Sequence, residues 1–255
     1  MGNEIKTRSK TTETSLDIVD AIRELNGGTI PQLSEYLGLS ESTVHRHLVS
    51  LREYGYIVKS EKEYRIGLRF LTLGGYAQQQ VTAFPIIKEK VDQLAADTGE
   101  RAQFIVEENG KRVYLYTEVG ESAVQTGAHI GRRGSLHVSA AGKAILANLP
   151  ESRVDEIVNR HGFAGGARGN ISTREELDEA LAEVTERGYA FNRQESTDGV
   201  NAVGAPILDR SGTVIGALSI SGPAHRLKGE RLIETCSEYV LAATNELELH
   251  IKHSV

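Results

Sequence analysis

"LGLSESTVHRHLVSL", residues 37–51, decides how the first part of the chain is read. Gly38 supplies a turn. Ser40 is an N-cap residue, because its side-chain oxygen can accept from a free amide of the first helical turn. The spacing then predicts a helix to about Tyr54, stopped by Gly55. Successive side chains step about 100° around such a helix. With Val44 inward, Leu48 and Leu51 share its side. Ser42 and Arg46 fall almost opposite, flanked by Thr43, His45, Val49 and Ser50. His47 lies near the core flank and reads as a packed histidine.

Working outward, Thr14–Asn26 reads as a helix, with Thr14 and Asp17 resembling a capping box. Leu16, Val19, Ile22 and Leu25 recur along it at helical spacing. Thr29–Leu37 is a short second helix with Pro31 in its first turn, where a missing N–H does no harm. After Gly55, "YIVKSEKEYRI" alternates Tyr56 and Val58, then Tyr64 and Ile66, about a charged turn, as a hairpin does. Helix, short helix, turn, helix and hairpin within residues 1–66 is the layout of a winged helix-turn-helix. Residues 67–82 form a connecting helix.

From residue 83 the texture changes. Ala83–Gly99 reads as a helix with Ile87, Val91, Leu94 and Ala95 on one side. "RAQFIVEENGKRVYLYTEV", residues 101–119, is two strands about a tight turn. "GSLHVSAAGKAILANLP", residues 134–150, is a loop entering a helix. "HGFAGGARGN", residues 161–170, is a flexible loop whose glycines match no phosphate-binding spacing. Thr173 and Glu176 form a capping box for a helix to about Gly188. A second hairpin turns at Asp209–Gly212, and a long helix runs from about Gly229 to His250. Strand pairs with helices around them predict an α+β domain, residues 83–255, with an antiparallel sheet.

The chain has 255 residues, 39% hydrophobic and 25% charged, which suits a globular protein. No run reaches the roughly 18 apolar residues of a membrane helix, and the polar N-terminus is not a signal peptide. A cytoplasmic protein without membrane partners is expected. The single cysteine, Cys236, excludes an internal disulfide and a cysteine-cluster metal site. The net charge is -6. Residues 1–80 carry ten basic and ten acidic groups, leaving 19 basic and 25 acidic in the rest. The N-terminal part is thus the less repulsive one towards phosphate.

A recognition helix inserts its first turns into the major groove. Arg46 suits guanine O6 and N7 or a phosphate, and Ser42, Thr43 and His45 can donate to bases or backbone. Ser40 and Ser50 border that surface. Lys59 and Arg65 on the hairpin are in reach of phosphate, or else belong to a solubilising tip with Glu61 and Glu63. The competing reading of the helix is a solvated face, and Glu41 favours it. An enzyme or a stand-alone small-molecule module is the alternative for the whole chain. The eight histidines show no H-E-x-x-H spacing, no cofactor motif is present, and neither alternative explains the first 66 residues.

With these elements in order, the chain resembles the IclR family of transcriptional regulators over nearly its whole length. The match runs through "LSEYLGLSESTVHRHLVSLREYGYIVKSEKEYRIGLRFLTLG", then "LHVSAAGKAILA", "RGYAFNRQESTDGVNAVGAPI" and "VIGALSISGP". The resemblance implies a GAF-like effector-binding domain and homodimers, often tetramers, on double-stranded palindromic DNA. It also implies control of catabolic genes by a small carboxylate or sugar acid. By position it implies an effector pocket of Ala123, Thr126, Ser139, Ala140, Ala141, Asn192, Ala202, Ser219 and Ser221, with no metal. Asn192 stands where the family often has an aspartate, and Ala202 where some members have a cysteine. Losing that acid favours an anionic or polyhydroxylated ligand. The structural alternative is that the alanines are small for helix packing and the serines face water.

Overall fold

The computed structural model describes residues 8–123, 128–167 and 171–254. The chain divides into two compact units, residues 1–80 and 81–255.

The first unit holds α1 (Lys10–Glu24), α2 (Ile30–Leu37), α3 (Glu41–Glu53), the hairpin β1 (Ile57–Ser60) and β2 (Glu63–Ile66), and α4 (Arg69–Gln79). Its core joins Ile18, Ile22, Leu33, Val44, Leu48, Ile57 and Tyr64. Thr29 and Gln32 form a capping box at α2, and Gly38 closes that helix at φ 65°. That left-handed geometry carries no penalty for glycine. Ser40 caps α3 by accepting from the Thr43 amide.

Three local expectations are corrected. Helix α1 begins at Lys10, so Thr14 is inside it, and its hydroxyl donates to the Lys10 carbonyl instead of capping. The buried stripe is Ile18, Ala21 and Ile22, while Leu16 stays 58% exposed. In β1 the inward residue is Ile57, and Val58 points to solvent. Packing against the helices fixes which of two alternating sets turns inward, and a four-residue strand leaves the period ambiguous.

The second unit begins with α5 (Phe84–Thr98), β3 (Arg101–Glu108), β4 (Lys111–Val119) and the short β5 (Arg133–Gly134). Helices α6 (Ala140–Leu146), α7 (Glu151–His161) and α8 (Arg174–Arg187) follow. Then come β6 (Ala190–Arg193), β7 (Val200–Leu208), β8 (Val214–Pro223), a π-helical turn Arg231–Thr235 and α9 (Cys236–Ser254). Helical geometry thus begins at Gly229, as the sequence suggests, and passes through that π-helical turn before α9. Helix α7 was not expected; it follows Pro150 and buries Val154 and Ile157.

The six strands form an antiparallel sheet in the order β5-β4-β3-β8-β7-β6. On one face Ile87, Val91 and Leu94 of α5 and Val240 and Leu247 of α9 pack against Phe104, Val203, Leu218 and Ile220. On the other face Ala144 and Ile145 of α6, Val154 of α7 and Leu177 of α8 join a core with Ile105, Tyr114 and Ala217. Each fully buried aliphatic side chain of this kind stabilises by about 1.5–3 kcal/mol.

A register shift between Phe104 and Ile105 puts an extra residue into β4. Phe104 pairs with Tyr116, and Ile105 with Tyr114. A bulge of this kind breaks simple alternation. Tyr116 consequently packs towards α5, beside Phe84 and hydrogen-bonded to Asp92. Tyr114, two residues earlier, belongs to the core under α6.

Candidate functional site

Two surfaces concentrate functional chemistry, one in each unit. In the first, the α3 stripe of Val44 and Leu48 is buried. Ser42, His45, Arg46 and Ser50 on the other side are exposed, and Thr43 is half-buried. The Ser40 hydroxyl lies 3.0 Å from that of Ser42 and 2.9 Å from that of Thr43, so three hydroxyls cluster at the helix start. Ser50 donates back to the Arg46 carbonyl at 3.4 Å. Arg46 has no ion-pair partner among the described residues, so its guanidinium is available. His47 is turned inward, with Nδ1 2.8 Å from the Ser15 hydroxyl of α1. On the hairpin, Arg65 pairs with Glu63 at 3.1 Å, and Lys59 lies over the Tyr64 ring at 5.3 Å.

The second surface is a cavity of about 40 Å³ between the sheet and the start of α6. Its floor is set by strand register. Asn192, Ala202 and Ser221 line up across β6, β7 and β8, and Gly204, Ser219 and Gln103 form the next row. Ser219 and Ser221 are 3% and 6% exposed, which answers the question of whether they face water. Ser139, Ala140 and Ala141 form the wall above. The Ser139 hydroxyl accepts from the Gly142 amide at 3.0 Å, so it fixes the helix start. The small residues there are also a packing requirement. A Cβ on Gly204 would lie 2.7 Å from the Ala141 nitrogen, and one on Gly142 would lie 2.1 Å from the Leu136 carbonyl oxygen.

Asn192 has a structural engagement of its own. Its Nδ2 donates to the Val138 carbonyl at 2.9 Å, and its Oδ1 accepts from the Glu195 amide at 3.0 Å. The donor expected to replace an acid's charge is thus spent on the cavity wall. Glu195 forms an ion pair with Lys143, which is 7% exposed. Burial pushes the Lys143 ammonium below the ordinary lysine value, and Glu195 opposes that push.

Seven of the nine pocket residues named from the sequence line this one cavity: Ser139, Ala140, Ala141, Asn192, Ala202, Ser219 and Ser221. Ala123 is not among the described lining residues, and Thr126 lies outside the described residues. Gln103, Arg112, Tyr114, Arg132, Ser196 and Thr197 also line it and were not anticipated. Arg112 follows Lys111 at the start of β4, beside the charged turn, so the sequence did not single it out. His137 is buried edge-on against Phe163 at 5.4 Å and is not among the lining residues of this cavity.

Comparison with known proteins agrees with this division. The model of the bacterial transcriptional regulator IclR C-terminal domain matches residues 76–248, and that of the IclR helix-turn-helix domain matches residues 12–61. The probable HTH-type transcriptional regulator ArcR of Halobacterium salinarum is 33% identical over 242 residues, covering 93% of this chain and 92% of that protein. The fold is that of the Thermotoga maritima IclR crystal structure, with TM-score 0.80, 24% identity, and 95% of this chain and 99% of that one covered. An IclR homologue of Microbacterium hydrocarbonoxydans complexed with 4-hydroxybenzoate superposes with TM-score 0.75 at 21% identity, covering 93% and 98%. The chain belongs to the IclR family: it is a transcriptional regulator of that type, with a DNA-binding helix-turn-helix unit and an effector-binding domain.

Proposed function

We propose that this regulator binds palindromic operators as a homodimer and controls catabolic genes in response to a small organic acid or sugar acid held in the cavity beneath α6. The exposed Ser42, His45, Arg46 and Ser50 of α3 carry the DNA side of this reading. Two copies would set two α3 helices in successive major grooves, about 34 Å apart. Arg46, with no carboxylate attached among the described residues, is the side chain suited to guanine or phosphate. Lys59 and Arg65 flank it as phosphate contacts. Pairing of chains is supported by α4, which buries no residue of its own and exposes Leu68, Leu71, Leu73 and Tyr76 nearby. Apolar surface of that kind is what one copy covers on another.

The effector side rests on the cavity. Ser139, Ala140, Ala141, Asn192, Ala202, Ser219 and Ser221 place hydroxyls and small apolar groups around it, with Ala123 and Thr126 as the remaining family positions. A carboxylate effector is also in keeping with the 4-hydroxybenzoate complex of the Microbacterium homologue. The protein is a regulator and not an enzyme on this reading. The effector shifts DNA binding only to the extent that it binds one arrangement of the protein better than the other.

The test uses duplexes selected from a random pool by the wild-type protein. Arg46→Ala is expected to weaken their binding by tenfold or more in a mobility-shift assay, within the range for a lost base contact. Unchanged affinity removes α3 from the groove. A thermal-shift screen of organic and sugar acids then identifies effectors, because a ligand of the native state raises Tm. The pair Ser219→Ala and Ser221→Ala should abolish the response to a hit.

A further inference from the structure

Arg112 is a buried cation that no described residue neutralises. It projects from β4 into the effector cavity and is 5% exposed. Its Nε and Nη1 have no hydrogen-bond partner among the described residues, which leaves three N–H donors unused. The one bond it makes is long, from Nη2 to the Ser196 hydroxyl at 3.5 Å. Its position is nonetheless well defined. The guanidinium lies 5.6 Å from the centre of the Tyr114 ring and rests on Gly134 of β5. A Cβ at Gly134 would fall 2.8 Å from Nε, so only glycine leaves this space.

Arginine keeps its proton in proteins. Burial pushes the Arg112 guanidinium below its ordinary value, and the charge of Arg132 adds to that push. Arg132 lines the same cavity and has no ion pair among the described residues. No aspartate or glutamate is among the described lining residues, and segments 124–127 and 168–170 contain none. Position 192 is a neutral asparagine, and Glu195 is held by Lys143. The cavity is therefore a site with two positive charges and no negative one. An isolated buried charge is destabilising unless an opposite charge joins it.

We propose that the effector is a compact dianion, a short-chain dicarboxylate, with one carboxylate on Arg112 and the other on Arg132. The cavity is small, about 40 Å³, which favours a short chain over a long one. Ser221, whose buried hydroxyl also lacks a partner, supplies a further donor on the floor. The inference rests on this cavity being the effector site and adds the ligand's charge and its anchor.

Thermal shift and calorimetry on the full chain test it, with malonate, succinate and inorganic sulfate as dianions and acetate and butyrate as monoanions. All are used at low millimolar concentration and matched ionic strength. A dicarboxylate should raise the wild-type Tm by several degrees while the monoanions do not. Arg112→Met should weaken its binding at least tenfold, and should raise the Tm of the unliganded protein by removing the unpaired charge. Arg112→Lys, which keeps the charge without the planar fork, guards against a misfolded Met variant and should retain weakened binding. Equal response to mono- and dianions overturns the dianion but leaves an acid effector standing. A dicarboxylate response undiminished in both variants overturns the Arg112 assignment. Response to sulfate alone marks an inorganic-anion site and overturns the dicarboxylate. Absence of response to every one of these anions overturns this inference, while the acid effector stands or falls with the wider screen of organic and sugar acids.

Discussion

Gly204 of β7 and Ala141 of α6 touch backbone to backbone: a Cβ at position 204 would lie 2.7 Å from the Ala141 nitrogen. The sheet and the helix start are held together there with no room for a methyl group. Gly204→Ala must push α6 away from the floor of the cavity or distort β7. Overpacking of this type destabilises by about 1–3 kcal/mol. Urea denaturation should show a lower midpoint with little change in slope. A fully stable Gly204→Ala protein would mean that α6 is not fixed at this height.

A second expectation concerns the ion pair beside the cavity. Glu195→Gln removes the charge that compensates buried Lys143. Breaking such a pair typically destabilises by about 3–5 kcal/mol, because the remaining charge is stranded. The pH dependence fixes the sign. Burial holds the folded-state Lys143 below its ordinary value, and without Glu195 it falls further. Between the folded and unfolded values the unfolded chain binds more protons, so stability rises with pH. The deficit of Glu195→Gln relative to wild type should therefore shrink as the solution is made alkaline. A deficit that is constant with pH would show that the lysine charge is not its cause.

The third expectation tests how α3 is oriented. Ser15 and His47 are 2.8 Å apart and join α1 to α3. Ser15→Ala should lower stability by about 1 kcal/mol, the net worth of one part-buried hydrogen bond. It should also weaken operator binding modestly, since α3 keeps its composition but loses a brace. If stability falls while DNA affinity is untouched, α3 is braced sufficiently by Val44 and Leu48 alone.

Helices α2 and α3 were readable because their signals are local. Ser40 caps, Gly38 turns at φ 65° and Gly55 at φ 75°, and each acts within its own few residues. The cavity beneath α6 was readable only in part. Ser219 and Ser221 alternate on one strand, and strand periodicity keeps them on one face. The bulge in β4 has no comparable mark in the sequence. Simple alternation puts Arg112, Tyr114 and Tyr116 together, yet Tyr116 crosses to the α5 side. The role of Arg112 depends on that shift and on Gly134, 22 positions further along. Leu16 shows the opposite failure: its helical spacing was right, but the helix turns it outward at 58% exposure.

The pairing of β3 with β8 carries a consequence for the order of events during synthesis. Ala102 meets Ile220 in the middle of the sheet, so the central ladder has no second rail until residue 220 has left the ribosome. The unit that holds α3, by contrast, is joined through contacts among the first 80 positions. Each newborn molecule is expected to fold its DNA-binding unit before its effector-binding domain is complete.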